Sequence, residues 1–326
     1  MTMVHPMAKT KKPKFKFRAS QLKMFWYWMR ERHAIYLKRF KEKEPHPWTK
    51  DKILTEYKFT NVYRQLDRVS LAWQDRYVHL LNRGKKLKNS DILFHCIMFR
   101  LFNLPETYDA LFYGITGRKD WNLKKAIKIL EQRRDEDHEQ IFTGAYIVSN
   151  GNRTESKIQV ICEAVDYAYK RKIRLANKIK RKKSMEKAVE ILQCIPTVGS
   201  FVAYEIACDL RFTKVLNNAR DVLAWANPGP GAKRGIRRLL YGSAEKKGGK
   251  PIDWNSAMRE LLTMVPKDLQ KHLDMTKEGV PFEMREIEHS LCEFDKYMRV
   301  KNGEGKPRSR YRPPIDRHVT HYKDDE

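Results

Sequence analysis

Apolar residues recur along this chain at intervals of three and four, the period of a helix with one buried face. Met24, Phe25, Trp26, Trp28 and Met29 begin such a run, and Ile35, Tyr36 and Phe40 continue it. Pro45, Pro47 and Trp48 break it, and Thr49 is placed as an N-cap ahead of Ile53 and Leu54. Residues 91–102 read as a strongly apolar helix capped by Ser90, and Leu104-Pro105 opens the next. From Ser156 to Lys183 runs a long basic helix, crowded towards its end with Arg171, Lys172, Arg174, Lys178, Lys180, Arg181, Lys182 and Lys183. A β-like run stands only at 145–148, before the turn-forming Ser149-Asn150-Gly151. Gly and Pro gather at 227–231 and at Gly248-Gly249. The pattern predicts an all-α protein of two helical lobes with little or no sheet. Its parts are a basic flexible arm at 1–20, one helical domain at 21–300 and a basic extended tail at 301–326.

Composition adds a partner. Of 326 residues, 67 are Lys or Arg and 40 are Asp or Glu, a formal charge of +27. Such an excess repels itself, and a polyanion, most commonly nucleic acid, is the default counterpart. The 41% hydrophobic share excludes a wholly disordered basic tail. No run approaches the ~18 apolar residues that span a bilayer, so no membrane partner is expected. Cys96, Cys162, Cys194, Cys208 and Cys292 are odd in number, and no two have C-x-x-C spacing. Zinc and iron–sulfur sites therefore lack support, and a reducing cytoplasmic setting is expected. The Gly- and Lys-rich stretch 242–250 is not a P-loop. Ala244 stands where the first glycine belongs, and Pro251 replaces the Ser or Thr. No metal or cofactor is called for.

Residues 188–210 carry the most informative local pattern. An apolar helix ends at Ile195-Pro196, a tight turn holds Thr197, Val198, Gly199 and Ser200, and a second apolar helix follows. Such a turn points the free N–H groups of the second helix outward, where a phosphate oxygen can dock. The segment resembles the helix-hairpin-helix of the DNA glycosylase superfamily, whose hairpin reads L-P-G-V-G where this chain reads I-P-T-V-G. Lyase members carry a Lys just after the hairpin glycine. Phe201 occupies that position, so Schiff-base chemistry is unsupported. The superfamily places an Asp at the mouth of its base pocket, and Asp221 falls about there. It is either a catalytic carboxylate or an acid favoured by a helix N-terminus. Lys180 and Arg181, with the Gly229-Pro-Gly231 turn, are the further expected DNA contacts.

A narrower resemblance runs from Gln21 to Arg299. It is carried by ordered blocks: Phe25-Trp26-Tyr-Trp28-Met-Arg30-Glu31-Arg32-His33; Pro47-Trp48-Thr49-Lys-Asp51; Tyr57-Lys-Phe59-Thr60-Asn61-Val62-Tyr63-Arg64; Phe99-Arg100-Leu101-Phe102-Asn103; Gly144-Ala145-Tyr146; Gly229-Pro230-Gly231-Ala-Lys-Arg234-Gly235; and Ile287-Glu288-His289-Ser-Leu291-Cys292-Glu293. Together they resemble the helical domain associated with phage 5-hydroxymethyl-deoxyuridine DNA kinases. That domain is similar to the α-glutamyl/putrescinyl-thymine pyrophosphorylases, discussed as amino-acid:DNA transferases. The resemblance implies thymidine hypermodification. A hydroxymethyluracil in DNA is phosphorylated or pyrophosphorylated on its 5-methylene oxygen, and an amine or amino acid then displaces that group. It implies double-stranded DNA carrying modified thymidine as substrate, an amine or amino-acid co-substrate, a separate P-loop DNA kinase as neighbour and, for a phage protein, the cytoplasm of the infected host. The missing P-loop favours the displacement step. A non-catalytic DNA-binding partner of the kinase and a base-excising glycosylase are the competing readings.

Base flipping into a pocket follows from chemistry at the 5-position. Trp26, Trp28, Tyr63 and Trp225 are rings that could stack on the base or fill the core. Arg64, Arg68, Arg100, Arg234 and Lys296 are the expected phosphate cations. Asn61, Arg64 and Asp67, three apart, predict a polar helix face, with Arg100 and Asn103 lining the same cleft. Glu288, His289, Glu293, Lys296 and Tyr297 form the densest polar set on an apolar helix. Glu293 or His289 is placed to deprotonate an incoming ammonium, Glu293 and Lys296 alternatively to pair with each other. Metal binding by Glu288 and His289 is disfavoured, because adjacent residues on a helix point different ways.

Overall fold

The computed structural model describes residues 14–82, 87–113, 121–144, 154–245, 251–307 and 309–311. Helix α1 (Ala19–Tyr36) runs into a π-helical turn, Leu37–Lys41. Then come α2 (Lys52–Glu56), a 3-10 turn at Arg64–Leu66, α3 (Arg68–Asn82), α4 (Asn89–Phe102), α5 (Pro105–Leu111) and α6 (Leu123–Asp135). The long α7 (Lys157–Lys182) leads to α8 (Met185–Leu192) and α9 (Ser200–Leu210). The chain closes with α10 (Pro230–Tyr241), α11 (Trp254–Met264), α12 (Lys267–His272) and α13 (Met284–Lys301). Among the described residues there is no strand, only isolated bridges between Tyr57 and Arg310 and between Met275 and Val280. The fold is all-α. The β-like run at 145–148, residues 1–13 of the arm and residues 312–326 of the tail lie outside the described residues.

Two helices organise the interior. In α4 every residue from Ile92 to Phe102 is buried, the polar His95 and Arg100 among them, so this mostly apolar helix is enclosed on all sides. It packs on α7 and α9. The second axis is α13, buried along most of its length against α10, α11 and α1. Two glycines set how closely α10 approaches it. A Cβ on Gly235 would stand 2.9 Å from the Leu291 carbonyl carbon and closer still to its oxygen. One on Gly231 would collide with the Cys292 thiol. Gly231 is thus a buried packing residue inside a helix, not the exposed turn its Pro-Gly context suggests.

The caps of the long helix fall where the sequence pattern predicts them, and those of α2 and α4 do not. Ser156 caps α7, its hydroxyl accepting from Gln159 N–H at 3.2 Å, and Lys183 ends it in the left-handed region with φ of 50°. The cap of α2 is Asp51, not Thr49. The Asp51 carboxylate accepts from the N–H groups of Ile53 (2.9 Å) and Leu54 (3.1 Å). Thr49 stands two residues back, donating to Glu31 at 2.8 Å. Helix α4 starts at Asn89, ahead of the expected Ser90 cap, and Ser90 is buried within its first turn. Residues 61–67 form a loop with a 3-10 turn in place of the expected helix face. Trp28 and Tyr63 are core, fully enclosed, and not available to stack on a base.

Candidate functional site

Helix α9 reads S-F-V-A-Y-E-I-A-C-D-L, and its two charges, Glu205 and Asp209, lie one turn apart and are buried. Arg100 of α4, itself 2% exposed, faces them. Its Nε and Nη2 each donate to Asp209 at 2.6 Å, Nη1 donates to Asn103 at 3.1 Å, and Nη2 also reaches the Ser70 hydroxyl at 3.1 Å. Arg100 Nη1 lies 3.7 Å from Glu205, and Arg64 donates to the same Glu205 oxygen at 2.8 Å. Glu205 therefore joins the two arginines. From there the network reaches α13: His289 Nε2 stands 3.7 Å from Glu205 and 3.5 Å from Glu288. The backbone N–H of Gly229 donates to the other Glu288 oxygen at 3.2 Å. The neighbours Glu288 and His289 thus converge, against the expectation that they diverge, because both long side chains bend towards the same buried space.

Burial and pairing push these groups in opposite directions. For Glu205, burial pushes the carboxyl up, but Arg64, with His289 and Arg100, overcomes it and holds the group well below the ordinary range. Burial raises Glu288 to about 8, with only the Gly229 N–H and distant Arg64 opposing. Burial also lowers His289 to about 4. At neutral pH, then, Glu205 is an anion while Glu288 keeps its proton beside a neutral imidazole. Carboxyls forced apart in this way are the arrangement acid–base chemistry uses, though buried ion networks produce it as well.

Beside the network opens a pocket of about 420 Å³, walled by α1, its π-helical turn, the α2 region and the loop after it. Among the described residues its cations are Arg32, Arg39, Lys58 and Arg68, and its one carboxylate is Asp67. Burial raises Asp67 to about 6 against the pull of Arg64, whose Nε lies 3.5 Å away without hydrogen-bond geometry. Asp67 also accepts the N–H of Asn61 at 2.9 Å, and the Asn61 amide donates to Leu66 O at 2.9 Å. Arg64 and Asp67 therefore connect the pocket to the buried network. The opposite wall is aromatic. Tyr311 stacks on His46 (centroids 5.9 Å) and meets Trp48 edge-on, with the Arg39 guanidinium 5.2 Å from the Trp48 ring. The C-terminal segment brings Tyr311 there. Glu304 pairs with fully buried Arg238, Lys58 N–H donates to Ser309 O at 3.2 Å, and Tyr311 N–H donates to Glu56 O at 2.7 Å.

The remaining expected site residues have other partners. Glu293 pairs with Lys296 at 2.6 Å and accepts the N–H of Thr60 at 3.0 Å, so both sit behind the pocket wall at Phe59. Tyr297 donates to Asp51 at 2.7 Å. Arg234 pairs with Asp295 at 2.7 Å, which it shares with Arg238. Asp221 is taken up as a cap on α8, accepting from the Ser184 hydroxyl and Met185 N–H, each at 2.7 Å, and from Glu186 N–H at 3.1 Å. At the hairpin, Thr197 adopts φ of 68°. Gly199 is extended and exposed, with no atom within 4 Å of where a Cβ would lie, and it caps α9 without a side chain. Lys180 and Arg181 are exposed. Among the described residues no group of three or more His, Cys, Asp and Glu side chains is placed to hold a metal ion. Sequence reasoning missed Glu205, Asp209, Arg32, Arg39 and Tyr311. The first two had a usable signal: they are the only charges on an otherwise apolar helix, four residues apart.

Fold and site together define an all-helical protein with a buried arginine–carboxylate centre joined through Arg64 and Asp67 to a cationic, aromatic pocket. The chain belongs to the family described as "5-hmdU DNA kinase, helical domain", whose profile matches residues 19–307. It is 36% identical over 236 residues to a "5-hmdU DNA kinase" of Bacillus phage SP10. That alignment takes in 67% of this chain and 36% of the relative, so the chain spans about a third of the protein it matches. No solved structure matches it. No helix among the described residues is long and apolar enough to cross a membrane.

Proposed function

We propose that the chain binds DNA carrying a 5-substituted uracil, draws that base into the 420 Å³ pocket, and displaces its (pyro)phosphate with an amine or amino acid. The observation that carries this reading is the pocket's composition. Four cations and one carboxylate surround a space of the size that holds a single small ligand. In the step, the amine nitrogen bonds to the 5-methylene carbon, the carbon–oxygen bond to the phosphate breaks, and the amine proton passes to a base. Asp67, raised to about 6 and on the pocket wall, is the carboxylate for that proton. Arg39, Lys58 and Arg68 receive the leaving anion. The hairpin at Thr197–Ser200, exposed at Gly199 and Ser200, is the duplex contact in this reading together with Lys180 and Arg181.

The test is to incubate the chain with duplex DNA containing 5-(pyro)phosphomethyl-deoxyuridine and a panel of amines, then digest and weigh the nucleosides. A new amine-bearing nucleoside is expected, and its absence with every amine refutes the displacement. DNA affinity is expected to fall steeply with salt, as for roughly 6–10 phosphate contacts. One observation favours a second reading. The phage relative is named a kinase and is far longer than the matched part. A helical module that presents the base to a kinase would bind the DNA, leave the base unchanged and stimulate phosphorylation.

A further inference from the structure

Helix α9 is buried along its length except at its start. Val202 to Leu210 are all buried, yet Phe201 is 46% exposed. It follows directly on Gly199 and Ser200, both exposed, at the hairpin turn. The segment 220–227 runs from the end of α7 to this turn. At one end Arg220 N–H donates to Lys183 O at 2.9 Å, and at the other the Asn227 side-chain amide donates to Ser200 O at 3.0 Å. Leu223, between them, is 49% exposed, and Arg259 holds the segment by donating to Ala224 O at 2.8 Å. Lys180, Arg181, Lys182 and Arg220 are exposed where the segment meets α7, and none of the four has a carboxylate partner among the described residues. A single exposed apolar side chain is ordinary on a protein surface. These two differ in their setting, between unpaired cations and the open backbone at Gly199, where no atom lies within 4 Å of a would-be Cβ. Two side chains are too few for a stable protein interface, and they do not form the continuous apolar face of a membrane-surface helix. Duplex DNA matches the pattern. Its phosphates meet the cations, and an apolar side chain fits between its base steps.

We propose that Phe201 is a wedge that enters the base stack of the duplex, supported by Leu223 from the 220–227 segment. Its ring fills the space that an extracted base vacates and stacks on the neighbours left exposed there. Unstacking a step is costly, and without such a ring the stack recloses on the base. Lys180, Arg181, Lys182 and Arg220 hold the phosphates on either side. The inference rests on the reading that the chain draws a base out of the duplex, and it assigns the residues that keep the stack open.

Fluorescence anisotropy of the full chain with two labelled duplexes tests it. One duplex is intact, and the other carries a tetrahydrofuran abasic analogue at a single position, which offers the vacated space ready-made. The parent chain is expected to bind the abasic duplex about tenfold more tightly, the gain of one aromatic stacking contact. Phe201→Ala should bring that preference close to unity while leaving affinity for the intact duplex within about twofold and the salt slope unchanged. Phe201→Trp should retain the preference, and Leu223→Ala should lose part of it. Arg181→Gln should weaken both duplexes alike and lower the salt slope by about one. Phe201 and Leu223 are exposed, so both alanine variants should melt with the parent. A parent chain with no preference overturns the proposal, as does a Phe201→Ala chain that keeps the preference or loses affinity for both duplexes equally. A preference that depends on Phe201, with no transfer product from the parent on DNA, would sink the displacement reading and leave the wedge. Transfer by Phe201→Ala at the parent's rate would do the reverse.

Discussion

Replacing Gly235 by Ala tests the close approach of α10 to α13, which fixes where Glu288 and His289 stand. In an open helix the change would stabilise, since Ala is favoured over Gly by about 0.8–1 kcal/mol. Here the new Cβ would lie 3.1 Å from Leu291 Cβ, 2.9 Å from the carbonyl carbon and closer to its oxygen. That oxygen belongs to a helix backbone and cannot rotate away, so the helices must part by roughly an ångström. Overpacking of this kind costs about 1–3 kcal/mol, occasionally more. The net expectation is a loss of about 1 kcal/mol. With an unfolding entropy of about 2.1 cal/mol/K per residue, a chain of this length should lose about 1.5 °C in Tm. Calorimetric melting of the purified variant measures it. Gly231→Ala is the internal control, because it meets the rotatable Cys292 thiol and should cost less. A Gly235→Ala protein that melts at or above the parent temperature would refute the helix contact.

Thr197→Gly should stabilise by about 1 kcal/mol, because a left-handed φ costs a β-branched residue about 1–2 kcal/mol and Gly gives part of that back as chain entropy; denaturant unfolding reads it. Asp221→Ala should cost about 1–2 kcal/mol by uncapping α8, visible in thermal melts. A transfer activity that falls with no change in melting would instead assign Asp221 to the chemistry. For Glu288, the folded-state value of about 8 lies above the unfolded one, so its stabilising contribution is complete at low pH and is lost as pH rises through 8. Lowered His289 adds a rise in stability up to about pH 6.5, so the fall from pH 6.5 to 8.5 isolates Glu288. Glu288→Gln should flatten that fall, as followed by melting across the pH range.

The long helices were legible because their period and caps are local. Ser156 and Lys183 bound α7 by hydrogen bonds within a few residues of the chain. Arg64, Arg100 and Asn103 were also recognisable, since charges in apolar surroundings demand partners. Their partners were not. Glu205 and Asp209 sit more than a hundred residues away from Arg100, and only tertiary packing brings α4 to α9. Asp221 was ambiguous for a different reason. A carboxylate before a helix reads the same whether it caps that helix or works in a pocket, and it caps α8 from across the chain. The pocket itself draws on α1, the loops around α2 and a tail segment ending at Tyr311, an assembly with no linear motif.

In the proposed reaction the chain takes the modified base out of the DNA stack. A duplex with 2-aminopurine beside a single 5-phosphomethyl-deoxyuridine reports this by its fluorescence, which rises when the neighbouring base unstacks. Adding the chain should raise the signal saturably with the modified duplex and leave the thymine duplex unchanged. An equal response from both duplexes, or binding of the modified duplex with no rise, would contradict it.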